Sequence, residues 1–228
     1  MENVKNTYTA FHQSKLPNHT YPTEWVIRTF LGKYPLLNLD KNWFPSSKIL
    51  DLGFGDCRNM PLLKNCGFEI HGVEISKPII ELANAKLAHL GITAKLSVGS
   101  NVNIPYPKNE FDYLLACHSC YYIDAGSTFS DNLLEMARVI KPGGVILASL
   151  PAPDNFILKD SEPLTDGHVI IKNDIYGLRN GYIFRTFESK AEVEKTFSPY
   201  FDNIKVCHCM ENFWGVQINY FLIAGNKK

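Results

Sequence analysis

Between residues 48 and 150 short apolar runs alternate, without a break, with segments whose apolar residues recur at helical spacing. KILDL (48–52), FEIHGVEI (68–75), residues 94–98, FDYLLAC (111–117) and VILASL (145–150) read as strands. The last two are almost wholly apolar, the pattern of strands covered on both faces. Between them lie three helix signals. One starts near Arg58 and carries Met60, Leu62 and Leu63. The second opens at Ser76 with Pro78 two places on, shows a face of Ile79, Ile80, Leu82, Ala83, Leu87 and Leu90, and stops at Gly91. The third covers residues 129–140, after which KPGG reads as a turn into the fifth strand. Strands separated by helices pair in parallel through right-handed crossovers, so the expected fold is α/β with a doubly wound, mostly parallel sheet.

The flanks differ from this core. Residues 1–45 are first polar and aromatic, then helical after Pro22, with Trp25, Val26, Phe30 and Leu31 at helical spacing. They read as a helical cap in which Tyr8, Phe11, His12 and Tyr21 either pack or lie over a ligand mouth. Residues 151–188 are too long and polar for a plain connection and read as a substrate-side insertion or a small hairpin subdomain. Residues 189–197 read as a helix, and 204–210 and 213–224 as two closing strands, an antiparallel pair. The whole is expected to be one domain: cap 1–45, core 46–150, insertion 151–188 and closing elements 189–228.

Lys plus Arg and Asp plus Glu number 23 each, so no global field draws the chain to nucleic acid, and a small molecule becomes the expected partner. No run approaches the roughly 18 apolar residues of a membrane helix, and MENVKNTYTAFHQSK has no apolar core of a signal peptide. No membrane association and a cytoplasmic location are expected, as a monomer or homodimer. The six cysteines sit in apolar segments without finger-like spacing, so no metal is expected. His208, between Cys207 and Cys209, would face away from both in a strand.

In a doubly wound sheet ligands bind at the carboxyl ends of the strands. There this sequence places Asp51 before a turn with Gly53 and Gly55, Glu74 at the end of the second strand, Ser100 and Asn101 after the third, and Cys117 and His118 after the fourth. A carboxylate about twenty residues beyond a glycine turn can accept both hydroxyls of a ribose. A nicotinamide dinucleotide fits poorly. Its fingerprint wants glycine where Arg58 stands, and Asp51 would repel a pyrophosphate but attract an ammonium. S-Adenosylmethionine, with a ribose, an ammonium and a sulfonium, matches that chemistry.

DLGFGDCRN, HGVEIS, the IPYP loop before FDYLLACHSCYYI, and ARVIKPGGVIL, in that order, resemble a class I S-adenosylmethionine-dependent methyltransferase over about residues 48–150. The resemblance implies seven strands with the last inserted antiparallel. It also implies a methionyl group at Asp51, Gly53 and Gly55, a ribose on Glu74, adenine beside the loop after the third strand, and Cys117 alongside methionine and acceptor. The cofactor-binding set it implies is Asp51, Gly53, Phe54, Gly55, Glu74, Ile75, Ser100, Asn101, Val102 and Cys117, with S-adenosylhomocysteine as product. Cys57 stands where a third glycine is usual, and Ser100 where an Asp commonly meets the adenine amino group.

For the acceptor, a small molecule is expected. His118 is the favoured catalytic candidate, because its backbone is tied to the cofactor site. Tyr8, Tyr21, Tyr122, Tyr176, Arg179 and Arg185 are the candidate substrate contacts, the arginines for an anionic acceptor. A non-catalytic cofactor-binding module and an NAD-dependent oxidoreductase remain as alternative readings.

Overall fold

The computed structural model describes residues 20–37 and 39–228, so Tyr8, Phe11 and His12 lie outside the described residues. Helix α1 (Glu24–Leu31) and a 3-10 turn (Lys41–Ser46) precede β1 (Lys48–Leu52). Then follow α2 (Met60–Asn65), β2 (Glu69–Glu74), α3 (Lys77–His89), β3 (Lys95–Val98), β4 (Phe111–Ala116), β5 (Tyr122–Ile123), α4 (Phe129–Val139) and β6 (Ile140–Pro151). Three short strands, β7 (Glu162–Pro163), β8 (His168–Ile170) and β9 (Ile183–Arg185), lead to α5 (Lys190–Phe197), β10 (Phe201–Phe213) and β11 (Val216–Lys227).

The main sheet has seven strands in the order β10-β11-β6-β4-β1-β2-β3. β1 pairs in parallel with β2 and β4, β2 with β3, and β4 with β6, while β11 lies antiparallel between β6 and β10. This is the doubly wound, mostly parallel sheet with an inverted last strand. The pleat sends successive side chains to opposite faces. Ile49 joins the core under α1, α2 and α3, with Val26, Phe30, Leu63 and Ile79; Leu50 and Leu52 join the core under α4 and α5, with Leu133, Met136 and Phe197. Asp51 shares the face of Ile49, the α1 side.

Several boundaries differ from the sequence reading. The first crossover helix begins at Met60 rather than near Arg58, because residues 55–59 spend themselves in a turn. KPGG does not separate α4 from the fifth strand. It lies inside β6, where Phe111 pairs with Ile140 but Tyr113 with Val145, so the extra residues bulge and Gly143 takes φ +77°. Leu31, Leu82 and Leu90, expected on buried faces, are exposed.

β5 follows the carboxyl end of β4 and β7–β9 follow that of β6. They form an antiparallel sheet of order β5-β9-β8-β7, and the hairpin subdomain therefore stands at the carboxyl edge, where a ligand mouth belongs.

Candidate functional site

The carboxyl end of β1 carries the anomaly of the molecule. Asp51 is fully buried, and neither of its carboxylate oxygens has a hydrogen-bond partner among the described residues. Burial first, then the charges of Glu74 and Asp56, push its carboxyl up to about 8. Buried charges are ordinarily paired, and while Asp56 is paired with Arg58 at 3.0 Å, the Asp51 carboxylate has no such partner among the described residues.

The turn around it is fixed by close contacts. Gly53 has φ +69°, and a Cβ there would come within 2.4 Å of the Ser119 Cβ. Ser119 itself donates its hydroxyl to the Leu52 carbonyl, tying the end of β1 to the segment after β4. Gly55 also has positive φ, and its N–H donates to Glu74 Oε1 at 2.9 Å. The Ile75 N–H donates to Glu74 Oε2 at 2.8 Å. Glu74 is thus oriented by backbone donors that favour its anion, while burial, the larger influence, raises its carboxyl. Phe54 is buried across Gly72, where a Cβ would meet its ring at 2.6 Å. The glycine in the middle of β2 makes room for that ring.

Cys57 is fully buried at φ +54°, and burial pushes its thiol up to about 12. The position needs a left-handed backbone, which explains why glycine is usual there; here a small side chain accepts that conformation and fills the space beneath.

Asn101 spans from the loop after β3 to the segment after β4, donating to the carbonyls of Ser119 and Tyr122 at 3.0 Å each. Ser100 bridges Asn103 through the backbone, and Val102 lies half-buried beside it. These residues stand with Ile75 along the edge beside β2, on the same side of the sheet order as Glu74.

Helix α1 closes over the turn. The Thr23 N–H donates to Asn59 Oδ1 at 3.0 Å, and the Cys117 thiol contacts Thr23 Oγ1 at 3.5 Å. Burial holds Cys117 neutral, pushing its thiol up to about 12. The Trp25 ring stands roughly perpendicular to the His118 ring with centroids 6.4 Å apart, and the Tyr220 ring lies tilted against it at 4.3 Å. His118 sits at φ +57°, with burial and then the charges of Arg179 and Arg58 depressing its imidazole to about 4. The ring is therefore neutral.

The candidate acceptor contacts divide. Arg179 pairs with buried Asp174 at 3.0 Å yet stays close enough to act on His118. Tyr122 packs among Tyr121, Tyr182 and Phe184 in the small sheet. Tyr176 and Tyr21 are 61% and 73% exposed. Arg185 is drawn away from the mouth: it pairs with Glu192 at 2.6 Å, reaches the Gly167 and Thr186 carbonyls, and lies over Phe187. Sequence reasoning missed Thr23, Trp25, Arg58, Ser119 and Ser149. The one signal for Ser149 is a lone hydroxyl in the apolar run VILASL, at the carboxyl end of its strand.

Among the described residues no group of three His, Cys, Asp or Glu could hold a metal ion, and no helix is long and apolar enough to cross a membrane.

Residues 50–148 match the family described as a methyltransferase domain. A 2-methyl-6-phytyl-1,4-hydroquinone methyltransferase of Synechocystis is 28% identical over 106 residues, 46% of this chain and 32% of that protein. A tRNA (carboxymethyluridine(34)-5-O)-methyltransferase of Arabidopsis thaliana is 28% identical over 145 residues, 62% of this chain and 34% of that protein. In each case the match spans about a third of the relative's length. A solved S-adenosylmethionine-dependent methyltransferase from Methanosarcina mazei superposes with a TM-score of 0.62 at 20% identity, covering 86% of this chain and 98% of that one.

Proposed function

Because this chain carries the methyltransferase domain on a class I S-adenosylmethionine-dependent methyltransferase fold, we propose that it moves the methyl group of S-adenosylmethionine to a small-molecule acceptor. The observation that carries the reading is the unpartnered, buried carboxylate of Asp51 beside Glu74. Asp51 would take the methionyl ammonium, with the backbone of Gly53, Phe54 and Gly55 around it. Glu74 and Ile75 would take the ribose, and Ser100, Asn101 and Val102 the adenine. Cys117, neutral and packed against Thr23, would flank the methionyl chain.

The cofactor supplies an electrophilic methyl on a sulfonium. Transfer to the acceptor's lone pair would break the carbon–sulfur bond, leave its electron pair on sulfur and give a neutral thioether. The leaving group is already good, so the protein's part is to hold the acceptor collinear in a dry space. The cover of Trp25, Tyr220 and α1 over His118 suits that task, with Arg58 and Arg179 supplying positive potential. A small-molecule acceptor is supported by this enclosure and by the relative named for a hydroquinone. The relative named for a tRNA keeps a nucleic-acid acceptor as the competing outcome.

The oxidoreductase alternative is set aside by the methyltransferase domain. Calorimetry with S-adenosylmethionine, S-adenosylhomocysteine and NAD tests the cofactor assignment: micromolar binding of the first two and none of the third is expected, and the reverse overturns it. Release of S-adenosylhomocysteine during incubation with small-molecule extracts, against total tRNA, then tests the acceptor class. Tight cofactor binding without turnover on either would favour a non-catalytic module.

A further inference from the structure

Ser149, in β6, is fully buried, and its hydroxyl has two partners, both on His118. The backbone N–H of His118 donates to Oγ at 2.8 Å, and Oγ lies 2.9 Å from Nδ1 of the same residue. One hydroxyl thus meets the backbone N–H and the ring Nδ1 of the same residue, whose backbone is left-handed at φ +57°. Positive φ is uncommon outside glycine, though histidine takes it more readily than most residues, and the two bonds to Ser149 help hold it there.

The protons can be assigned by counting. A serine hydroxyl has one proton and two lone pairs. The backbone N–H can only donate, so it takes a lone pair of Oγ. If Nδ1 also carried a proton, two donors would converge on Oγ, and the buried hydroxyl proton would be left with no acceptor among the described residues. The arrangement that satisfies every group has the Ser149 O–H donating to an unprotonated Nδ1. A neutral imidazole carries its single proton on the other nitrogen, and no described residue hydrogen-bonds Nε2.

We propose that Ser149 is a positioning residue that fixes His118 as the Nε2–H tautomer, so that His118 meets the acceptor as a hydrogen-bond donor and not as its base. The role at the acceptor rests on the methyltransferase reading; the tautomer does not. Burial and the guanidinium groups of Arg179 and Arg58 oppose a second proton on the ring, while Trp25 and Tyr220, packed on it, are uncharged. The chemistry selects an acceptor that offers an oxygen lone pair, as a carbonyl, phenolate or enolate does, next to or at the atom methylated. Such an acceptor brings its lone pair already free, so no proton has to pass to His118.

The test is a long-range nitrogen–proton correlation spectrum of the full chain labelled with 15N-histidine, His118 being assigned by its loss in His118→Gln. Between pH 5.5 and 8 the expected pattern is an unprotonated Nδ1 and a protonated Nε2; a protonated Nδ1 overturns the proposal. In Ser149→Ala the Nδ1 and Nε2 shifts should move toward the averaged values of exchanging tautomers, and in Ser149→Thr the wild-type pattern should return. Unchanged shifts in a folded Ser149→Ala remove Ser149 from the role. Because the spectrum is taken without cofactor, it stands or falls separately from calorimetric binding of S-adenosylmethionine.

Discussion

Two aspartates in this molecule are buried to a similar degree and are treated in opposite ways. Asp174, in the insertion, accepts from the N–H groups of Tyr176, Leu178 and Arg179 and pairs with the Arg179 guanidinium at 3.0 Å. It organises the loop from 174 to 180, and its charge is satisfied by its own neighbourhood. Asp51, at the end of β1, is satisfied by nothing in the described chain. The difference separates a carboxylate satisfied by its own loop from one left unpaired among the described residues, as the proposed methionyl site requires, and it cannot be seen from burial alone.

The contrast is broken most directly by the same conservative change at both sites. Asp51→Asn should abolish most cofactor affinity, by roughly a hundredfold for about 3 kcal/mol of lost charge-assisted bonding, while the fold is unharmed. Asp174→Asn removes one partner of a buried pair and should cost about 3 kcal/mol of stability, with cofactor affinity near normal. Calorimetry and thermal melts on both variants decide it. If Asp51→Asn melts early and still binds, Asp51 is a structural residue and the assignment fails.

The pH dependence sharpens the same comparison. Asp51 has its carboxyl raised from an ordinary 3.8 to about 8, so between those values the cofactor-free folded state holds a proton that the unfolded chain does not. Its contribution to stability is therefore full below about pH 4 and is lost as pH rises through about 8. Binding an ammonium requires the anion and releases that proton. Cofactor affinity should accordingly rise about tenfold per pH unit up to about pH 8 and then level off, as one shifted unit is worth about 1.4 kcal/mol. The slope should vanish in Asp51→Asn. A flat wild-type profile from pH 6 to 8 would show that Asp51 is ionised before the ligand arrives.

Glu74 stands between the two aspartates, held by the Gly55 and Ile75 N–H groups yet still able to accept more bonds. Glu74→Gln keeps one acceptor oxygen and turns an amide group toward the other N–H. It should therefore lose on both counts: about 1 kcal/mol of stability and about tenfold in cofactor affinity. A loss in only one of the two measurements would move Glu74 into the class of Asp174 or of Asp51.

The sequence made some of this visible and hid the rest for physical reasons. The strands β4 and β6 were readable from their long apolar runs, and β1 and β2 from short apolar stretches bounded by the glycine turn and by helix-start signals. Asp51 stood out as a charge in such a run. The pairing of β5 with β9 was not readable, since two residues carry no period and their partner is sixty positions away. Arg179 and Arg185 look alike in sequence, and only packing shows that Glu192 engages Arg185 while Arg179 reaches toward His118. Ser149 was hidden because one hydroxyl in an apolar strand says nothing of which backbone it will face. The closing thiols behaved as alternation requires: Cys207 and Cys209 share one face of β10, and His208 lies against Phe221 on the other.

The smallest effect concerns Cys57, where side-chain size and backbone hand pull against each other. The residue is fully buried at φ +54°, between the glycine turn and α2. Cys57→Ala keeps the strained left-handed backbone and removes the packed sulfur, so it should cost about 1 kcal/mol. Cys57→Gly removes more atoms but also relieves a strain of about 1 kcal/mol, so its net change should be near zero. The larger truncation is thus expected to be the milder one, read as the difference in melting midpoint between the two variants. If glycine proves worse than alanine, packing under the turn outweighs its backbone strain. The turn would then resemble the Asp174 loop, held by its own contacts, and Asp51 would be the only part of it left for the ligand to complete.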